Sequence, residues 1–381
     1  MKLRQFDEAP YNNNLIMLIA LLRNAQMQQL PAEPRVMFRG EESVNVQGFA
    51  ELAGRGRDNR AKRRFEDDRV FGGYATNIYL ASWKFTAEER AASMGVKTED
   101  VVFTWFNDDS DEHCPKFLIL LDHDQAAVVL VIRGTFCFKD ALIDVVCEET
   151  EFLDGFGHKG FMEGARKVLE KSSKILEKSL IEHYGYSLVV CGHSMGGSVA
   201  VMITMELLRT NAEVLPPGVG VRCVALGSAP VYRADNTLSG DCLEKITVYV
   251  NDKDVVPRLS LGSVAKLLAM LREVDSLGLS TDEQFGVVMW REDSGLYRER
   301  VVKAVKEVRQ DRFLYLQHPG QVIQLVNRGN TVEVKVEGEE EAKEVAANIE
   351  ISETMISDHL HTVYKDTFAK RIYKPDNWEI F

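Results

Sequence analysis

The chain has 381 residues, of which 45% are hydrophobic, so it can bury the core of one large domain with additions or of two domains. Its 58 acidic residues outnumber the 46 basic ones, and the formal net charge of -12 argues against a nucleic-acid partner. The six cysteines lack the spacing of a metal site, so we expect reduced cysteines, no metal and no cofactor.

The N-terminus shows no secretory signal, because Met1 is followed by polar and acidic residues and not by an apolar segment. The longest early apolar run, residues 15–22, is too short to span a bilayer. These features predict a cytoplasmic protein that is soluble or peripheral on membranes.

The first 98 residues predict an N-terminal helical extension packed on the core. Residues 12–30 have the apolar spacing of a helix, and shorter helical patterns cover 73–83 and 87–94. The basic run at 55–64 favours a solvated loop over a contact with anionic lipid.

From residue 99 onward, apolar strand patterns alternate with helical ones. This alternation predicts an α/β fold with a mostly parallel central sheet and helices on both faces. The strand patterns cover 101–105, 116–121, 126–132, 187–191, 221–226 and 246–250, with a loop expected at 155–160 and a long helix at 161–183.

The C-terminal part interrupts the alternation with a charged helical stretch at 260–311, which we interpret as an insertion. A hairpin is predicted from 321–327 and 331–337, and the acidic run 337–344 favours a solvated face or loop. We therefore treat 99–381 as one domain carrying a helical insertion.

Residues 192–196, Gly-His-Ser-Met-Gly, lie between an apolar strand and an amphipathic helix. This context is typical of a nucleophile elbow, in which a tight turn exposes the hydroxyl of Ser194 at the sheet edge. The turn needs small neighbours two residues away on each side, and Gly192 and Gly196 meet that need. The alternative is an ordinary glycine-rich turn.

A serine nucleophile requires a histidine base and a carboxylate that orients the base. Asp254, at the end of a strand, is the favoured acid over the nearby Asp252, and His359 is the favoured base. If a helix begins near Asp358, then His359 borders its apolar side and His361 faces water. His318 is a poorer third candidate, since its neighbours read as a turn.

Ester chemistry also builds negative charge on the carbonyl oxygen, which calls for two hydrogen-bond donors aimed at one point. The backbone N–H of Met195 can supply one donor, and Thr135, at the end of a buried strand, can supply another. Residues 136–146 are unusually apolar for a connection, which favours a buried helix or a movable lid.

Five motifs in this order resemble the class 3 lipase family, and within it the intracellular sn-1-specific diacylglycerol lipase branch. They are Ile132-Arg133-Gly134-Thr135, Asp140-Ala141-Leu142-Ile143-Asp144, His158-Lys159-Gly160-Phe161, Gly192-His193-Ser194-Met195-Gly196-Gly197 and Asp254-Val255-Val256-Pro257-Arg258. The resemblance runs from about residue 74 to 364. Animal members of the branch carry an N-terminal transmembrane bundle, which we do not expect in this protein.

The resemblance implies an α/β-hydrolase that cleaves acyl esters of glycerolipids at a membrane or lipid-droplet surface. It implies a triad of Ser194, Asp254 and a C-terminal histidine, with Thr135 and Met195 as the oxyanion hole. It further implies a lid over 136–156, with Phe136, Phe138, Leu142 and Ile143 against the substrate, and a regulatory insertion. The alternatives are a phospholipase A1 or carboxylesterase, and a lipase-like signalling protein without turnover.

Overall fold

The computed structural model describes most of the chain in eight stretches. They are residues 15–29, 47–81, 85–106, 114–135, 148–210, 215–234, 244–308 and 313–373.

Twelve strands and ten α-helices are found in these stretches. The strands are β1 (Val101–Trp105), β2 (Phe117–Asp122), β3 (Ala127–Ile132), β4 (Glu149–Phe152), β5 (Gly155–His158), β6 (Ser187–His193), β7 (Val221–Leu226), β8 (Tyr232–Ala234), β9 (Ile246–Asn251), β10 (Gln321–Arg328), β11 (Thr331–Val336) and β12 (Arg371–Ile372). The helices are α1 (Leu15–Gln29), α2 (Gln47–Asn77), α3 (Ala87–Met94), α4 (Lys159–Glu182), α5 (Met195–Thr210), α6 (Leu261–Ser276), α7 (Thr281–Val288), α8 (Gly295–Glu307), α9 (Glu339–Ala347) and α10 (His361–Ala369).

Nine strands form the central sheet in the order β1-β2-β3-β6-β7-β9-β10-β11-β12. The five strands from β3 to β10 are parallel to one another, whereas β1, β2 and β11 pair antiparallel near the two edges. The carboxyl ends of the parallel strands therefore meet along one edge, where loops can bring side chains together.

Helices cover both faces of this sheet, because the parallel strands are apolar on both sides. On one face α4 and α5 pack against alternate strand residues such as Val128, Leu130 and Val190. On the other face α2 and α10 pack against the intervening residues, such as Val129 and Cys191. The predicted mostly parallel sheet with helices on both faces is confirmed.

A satellite of helices forms a separate apolar cluster. The insertion contributes α6, α7 and α8, and α1 packs against all three through Leu18, Leu21 and Leu22, which are fully buried. The two parts of the N-terminal extension thus pack on different surfaces: α2 lies on the sheet, and α1 lies on the insertion.

Three local predictions were wrong. The basic run 55–64 is not a loop but part of the helix α2, and residues 155–160 are not a loop but form β5 and the start of α4. The carboxyl part of the predicted lid, residues 149–156, instead forms a hairpin of β4 and β5 that joins β8 in a second sheet. The side chain of Phe152 in this hairpin is buried in the core, which binds the hairpin to the protein body.

Candidate active site

Ser194 lies in a strained turn between β6 and α5. Its φ angle of 61° is in the left-handed region, which disfavours side chains with a Cβ atom. A Cβ atom on Gly192 would lie 2.5 Å from the backbone of Gly196, and one on Gly196 would lie 2.3 Å from the carbonyl oxygen of Ile132. Strand and helix can approach this closely only because both positions are glycine.

The side chains of Ser194, His359 and Asp254 form a continuous buried chain of contacts. His359 Nε2 lies 2.8 Å from Ser194 Oγ, and His359 Nδ1 lies 2.9 and 3.0 Å from the two carboxylate oxygens of Asp254. Asp252 turns away, because its carboxylate accepts the backbone N–H of Asn327 at 2.9 Å. The structure therefore brings together the three favoured residues of the predicted triad.

Hydrogen bonds fix the orientation of the Asp254 carboxylate. Its Oδ1 accepts the backbone N–H of Val256 at 2.9 Å, and its Oδ2 accepts the hydroxyl of Tyr364 at 2.7 Å. Burial and the nearby Asp254 raise the pKa of Tyr364 well above its usual value, so this phenol stays protonated and donates. Its oxygen in turn accepts the backbone N–H of Asn251.

The segment that carries His359 differs from the prediction. His359 lies in a 3₁₀ turn, Ser357–His359, and the helix α10 begins only at His361. Asp358 is not the helix cap, because its carboxylate accepts the backbone N–H of Lys253. This contact and the hydrogen bond from Asn251 to the carbonyl of Asp358 fasten the turn beside Asp254.

The two other candidate histidines have partners other than Ser194. His361 is not on a fully solvated side, since its ring stacks on Tyr79 at a centroid distance of 4.2 Å. His318 is buried away from Ser194 and donates from Nε2 to the carbonyl oxygen of Pro257 at 2.8 Å. Burial lowers the pKa of His318 to about 4.

Thr135 and Met195 lie on two segments that meet at Ser194. β3 and β6 pair in parallel register up to Ile132 and Gly192, so the residues after β3 pass beside the elbow. A Cβ atom on Gly134 would lie only 3.1 Å from the Cβ atom of Ser194. The predicted lid residues Phe136, Phe138, Leu142 and Ile143 lie outside the described residues.

The sequence alone assigns no role to Tyr364, nor to Tyr79 and His193. Both of the latter contact the base segment, and no local pattern announces this, since Tyr79 is 114 residues from His193 and His193 is 166 residues from His359.

Within the described stretches, no group of three or more histidine, cysteine or acidic residues could hold a metal ion. A cavity of about 880 Å³ lies near β10 and is lined by residues that include Arg64, His318 and Lys343, but not by Ser194 or His359. The contacts of Ser194, His359 and Asp254 suit nucleophilic attack by a serine with histidine as the base. This candidate site lies outside the cavity.

The comparisons with known proteins match different shares of the chain. Residues 129–263 match the family model described as lipase (class 3). Over 210 residues the chain is 31% identical to diacylglycerol lipase-alpha of Rattus norvegicus, which covers 50% of this chain and 18% of that protein. Diacylglycerol lipase-beta of Mus musculus is 28% identical over 181 residues, covering 45% of this chain and 26% of that protein. The chain thus spans about a quarter or less of the length of these two relatives.

A crystal structure of a mutant form of MDLA from Penicillium cyclopium superposes with a TM-score of 0.51 at 17% identity, covering 85% of this chain and 99% of that one. At this identity the likeness concerns the fold alone. Among the described residues, no helix combines the length and the apolar character needed to cross a bilayer. The predicted resemblance is confirmed: residues 129–263 match the class 3 lipase model, and the chain has an α/β-hydrolase fold.

Proposed function

We propose that the protein is a serine lipase that hydrolyses acyl esters of glycerolipids, with diacylglycerol as the preferred class and monoacyl- and triacylglycerol as further substrates. The observation that carries this proposal is the buried contact chain from Ser194 Oγ through His359 to Asp254. Two relatives named diacylglycerol lipases support the choice of lipid.

The reaction follows from this chain of contacts. Ser194 Oγ attacks the ester carbonyl carbon while His359 Nε2 takes its proton, and Asp254 stabilises the imidazolium. The negative charge on the carbonyl oxygen is stabilised by the backbone N–H groups of Met195 and Thr135. Collapse of the intermediate breaks the ester C–O bond, and His359 gives the proton to the departing glyceride oxygen, which leaves as a hydroxyl. Water, deprotonated by His359, then attacks the acyl-enzyme and releases the fatty acid and Ser194.

The test is hydrolysis of a lipid panel by the purified protein and by Ser194→Ala. We expect fatty-acid release from diacylglycerol dispersions and a loss of several orders of magnitude in the variant. Preferential cleavage of phosphatidylcholine at the sn-1 position would instead support a phospholipase A1. Cleavage of short soluble esters alone would support a carboxylesterase. No turnover of any ester would support a non-catalytic lipase-like signalling protein.

We further propose that the protein is cytoplasmic and binds a membrane or lipid-droplet surface transiently through the lid. Because residues 149–156 form the hairpin β4–β5, which is packed on the core, we propose a lid over residues 136–147 in place of the predicted 136–156. The apolar residues of 136–147 support this proposal, since opening would expose them to lipid. Phe138→Asp should weaken binding to phosphatidylcholine vesicles in a flotation assay. Unchanged flotation would contradict membrane binding through the lid.

A further inference from the structure

Tyr79 lies immediately beyond α2, in the N-terminal extension and outside the matched residues 129–263, yet it reaches the catalytic centre. Its side chain is 7% exposed, and its ring stacks on His361. A Cβ atom on Gly134 would lie 2.2 Å from Tyr79 Oη, so the hydroxyl occupies the space that a side chain at residue 134 would need.

The hydroxyl of Tyr79 is one link in a chain of hydrogen bonds. It accepts the backbone N–H of Gly134, next to Thr135, and lies 3.0 Å from His193 Nδ1. On the other side of the imidazole, His193 Nε2 lies 2.8 Å from the backbone carbonyl oxygen of His359. The chain therefore connects the segment after β3 to the segment that carries the base.

The directions of these bonds follow from chemistry. A carbonyl oxygen can only accept, so His193 Nε2 carries the proton and donates to His359. Burial lowers the pKa of His193 well below its usual value, so the imidazole is neutral and Nδ1 accepts from the hydroxyl of Tyr79. Burial also raises the pKa of Tyr79, which keeps the phenol protonated. Each of the two side chains is thus held in one donor and acceptor state.

We propose that Tyr79 and His193 are positioning residues that hold the backbone of His359 at the distance from Ser194 that proton transfer needs. The N-terminal extension then completes the catalytic centre through Tyr79, in addition to covering one face of the sheet. The inference rests on the proposed function, because it assigns the work of the same triad. This role differs from packing, because the position of His359 then depends on two hydrogen bonds, from Tyr79 to His193 and from His193 to His359, and not on the volume of the two rings.

The chain offers a matched control for Tyr79. Tyr74 is also 7% exposed, belongs to the same extension and donates its hydroxyl to Asp122 at 2.9 Å, but none of its contacts reaches the triad. Tyr79→Phe and Tyr74→Phe each remove one buried phenolic hydroxyl and keep the ring. A general loss of stability would affect both variants alike.

The two ring nitrogens of His193 can be tested separately by substitution. Gln at residue 193 can place its amide N–H near the position of Nε2 and so keep the donor to the His359 carbonyl. Asn can place its amide oxygen near the position of Nδ1 and so keep only the acceptor for Tyr79. The proposal predicts that His193→Gln retains more activity than His193→Asn.

The experiment measures the second-order rate of fluorophosphonate labelling of Ser194, together with kcat and KM on a soluble ester, after thermal melts have shown that each variant is folded. We expect Tyr79→Phe to lower labelling and kcat about tenfold with little change in KM, since about 1.4 kcal/mol corresponds to a factor of ten. Tyr74→Phe should stay within about twofold of the wild type, a difference of under half a kcal/mol.

Equal labelling rates for Tyr79→Phe and Tyr74→Phe would overturn the proposal, as would equal losses in the two His193 variants. If either His193 variant fails to fold, the two tyrosine variants decide the outcome alone. Labelling needs no lipid, so a wild type that labels but releases no fatty acid would contradict the lipase function and leave the positioning role standing. A wild-type Ser194 that does not label would overturn both.

Discussion

Ser194, His359 and Asp254 form one buried chain of contacts, and the hydroxyl of Tyr364 fixes the carboxylate at its end. Ser194, Asp254 and His359 were predicted because a nucleophile elbow needs partners in a fixed order along the chain. The structure brings the three side chains into contact. Tyr364 could not be assigned in this way, because its hydroxyl contacts Asp254 from 110 residues away and a helical pattern accounts for its ring.

Two neighbouring histidines should respond oppositely to substitution. His359→Ala removes the group that lies 2.8 Å from Ser194 Oγ, so we expect turnover to fall by several orders of magnitude with normal folding. His361→Ala removes a ring that stacks on Tyr79 and lies 6.4 Å from the ring of His193, but it keeps the hydrogen bonds of both residues, so most of the turnover should remain. Steady-state kinetics of both variants on one soluble ester checks this expectation. A larger loss in His361→Ala would reassign the base.

His318 should make the stability of the fold depend on pH. Its pKa is about 4 in the folded protein and near 6.5 when unfolded, so below pH 6.5 the unfolded chain binds more protons. The contribution of His318 to the free energy of unfolding is therefore complete above pH 6.5 and is lost as the pH falls toward 4. The loss is on the order of 2–3 kcal/mol.

Denaturant titrations at pH 7 and pH 4.5 measure this dependence, with His318→Gln as the comparison. Glutamine can keep the donor to the carbonyl of Pro257 but does not titrate. We expect the variant to lose less stability than the wild type between the two pH values. The same loss in both proteins would assign the pH dependence to other groups.

At the scale of elements, α2 shows why the prediction of a loop at 55–64 was wrong. The run contains five arginines and one lysine in ten residues, which favours solvent exposure when each residue is considered alone. In the helix, however, Ala61 and Phe65 are four residues apart and both are fully buried, while Arg60 is exposed. Burial of one helix face stabilises the helix here. The run itself contains too few apolar residues for the sequence to show a helical pattern.

A buried carboxylate fastens α2 to the sheet. Asp68 is fully buried, and its two oxygens contact Arg64, Arg222 and the hydroxyl of Tyr249. Burial raises the pKa of Asp68, while the charges of Arg64 and Arg222 act to lower it. Because removal of the carboxylate leaves two partly buried guanidinium groups and the buried hydroxyl of Tyr249 without their acceptor, Asp68→Ala should reduce the free energy of unfolding by about 3 kcal/mol, the lower end of the range for a buried pair.

The comparison for Asp68→Ala is Glu353→Ala, which breaks an ion pair with Arg23 in which the glutamate side chain is 78% exposed. An exposed pair contributes at most about 1 kcal/mol, so this variant should unfold close to the wild type. Equilibrium denaturation of both variants measures the difference. A comparable effect of the two substitutions would show that Asp68 does not fasten α2.

For the whole molecule, the sequence predicted the layers but not how distant helices associate. Alternating strand and helix patterns indicated the parallel sheet, because a strand buried on both faces is apolar throughout. The packing of α1 on α6, α7 and α8 could not be foreseen, since several apolar helix faces were available and no pattern specifies which of them meet. The β4–β5 hairpin was missed because its glycines favour a loop, and its pairing with β8 is what makes these residues strands.

The most direct test of the central claim is to locate the site of covalent labelling by a fluorophosphonate with intact mass and peptide mapping. We expect one adduct, carried by Ser194, that is absent in Ser194→Ala and forms far more slowly in His359→Ala, while circular dichroism shows both variants to be folded. The absence of any adduct on the folded wild type, or an adduct that persists in Ser194→Ala, would contradict the assignment of Ser194 as the nucleophile.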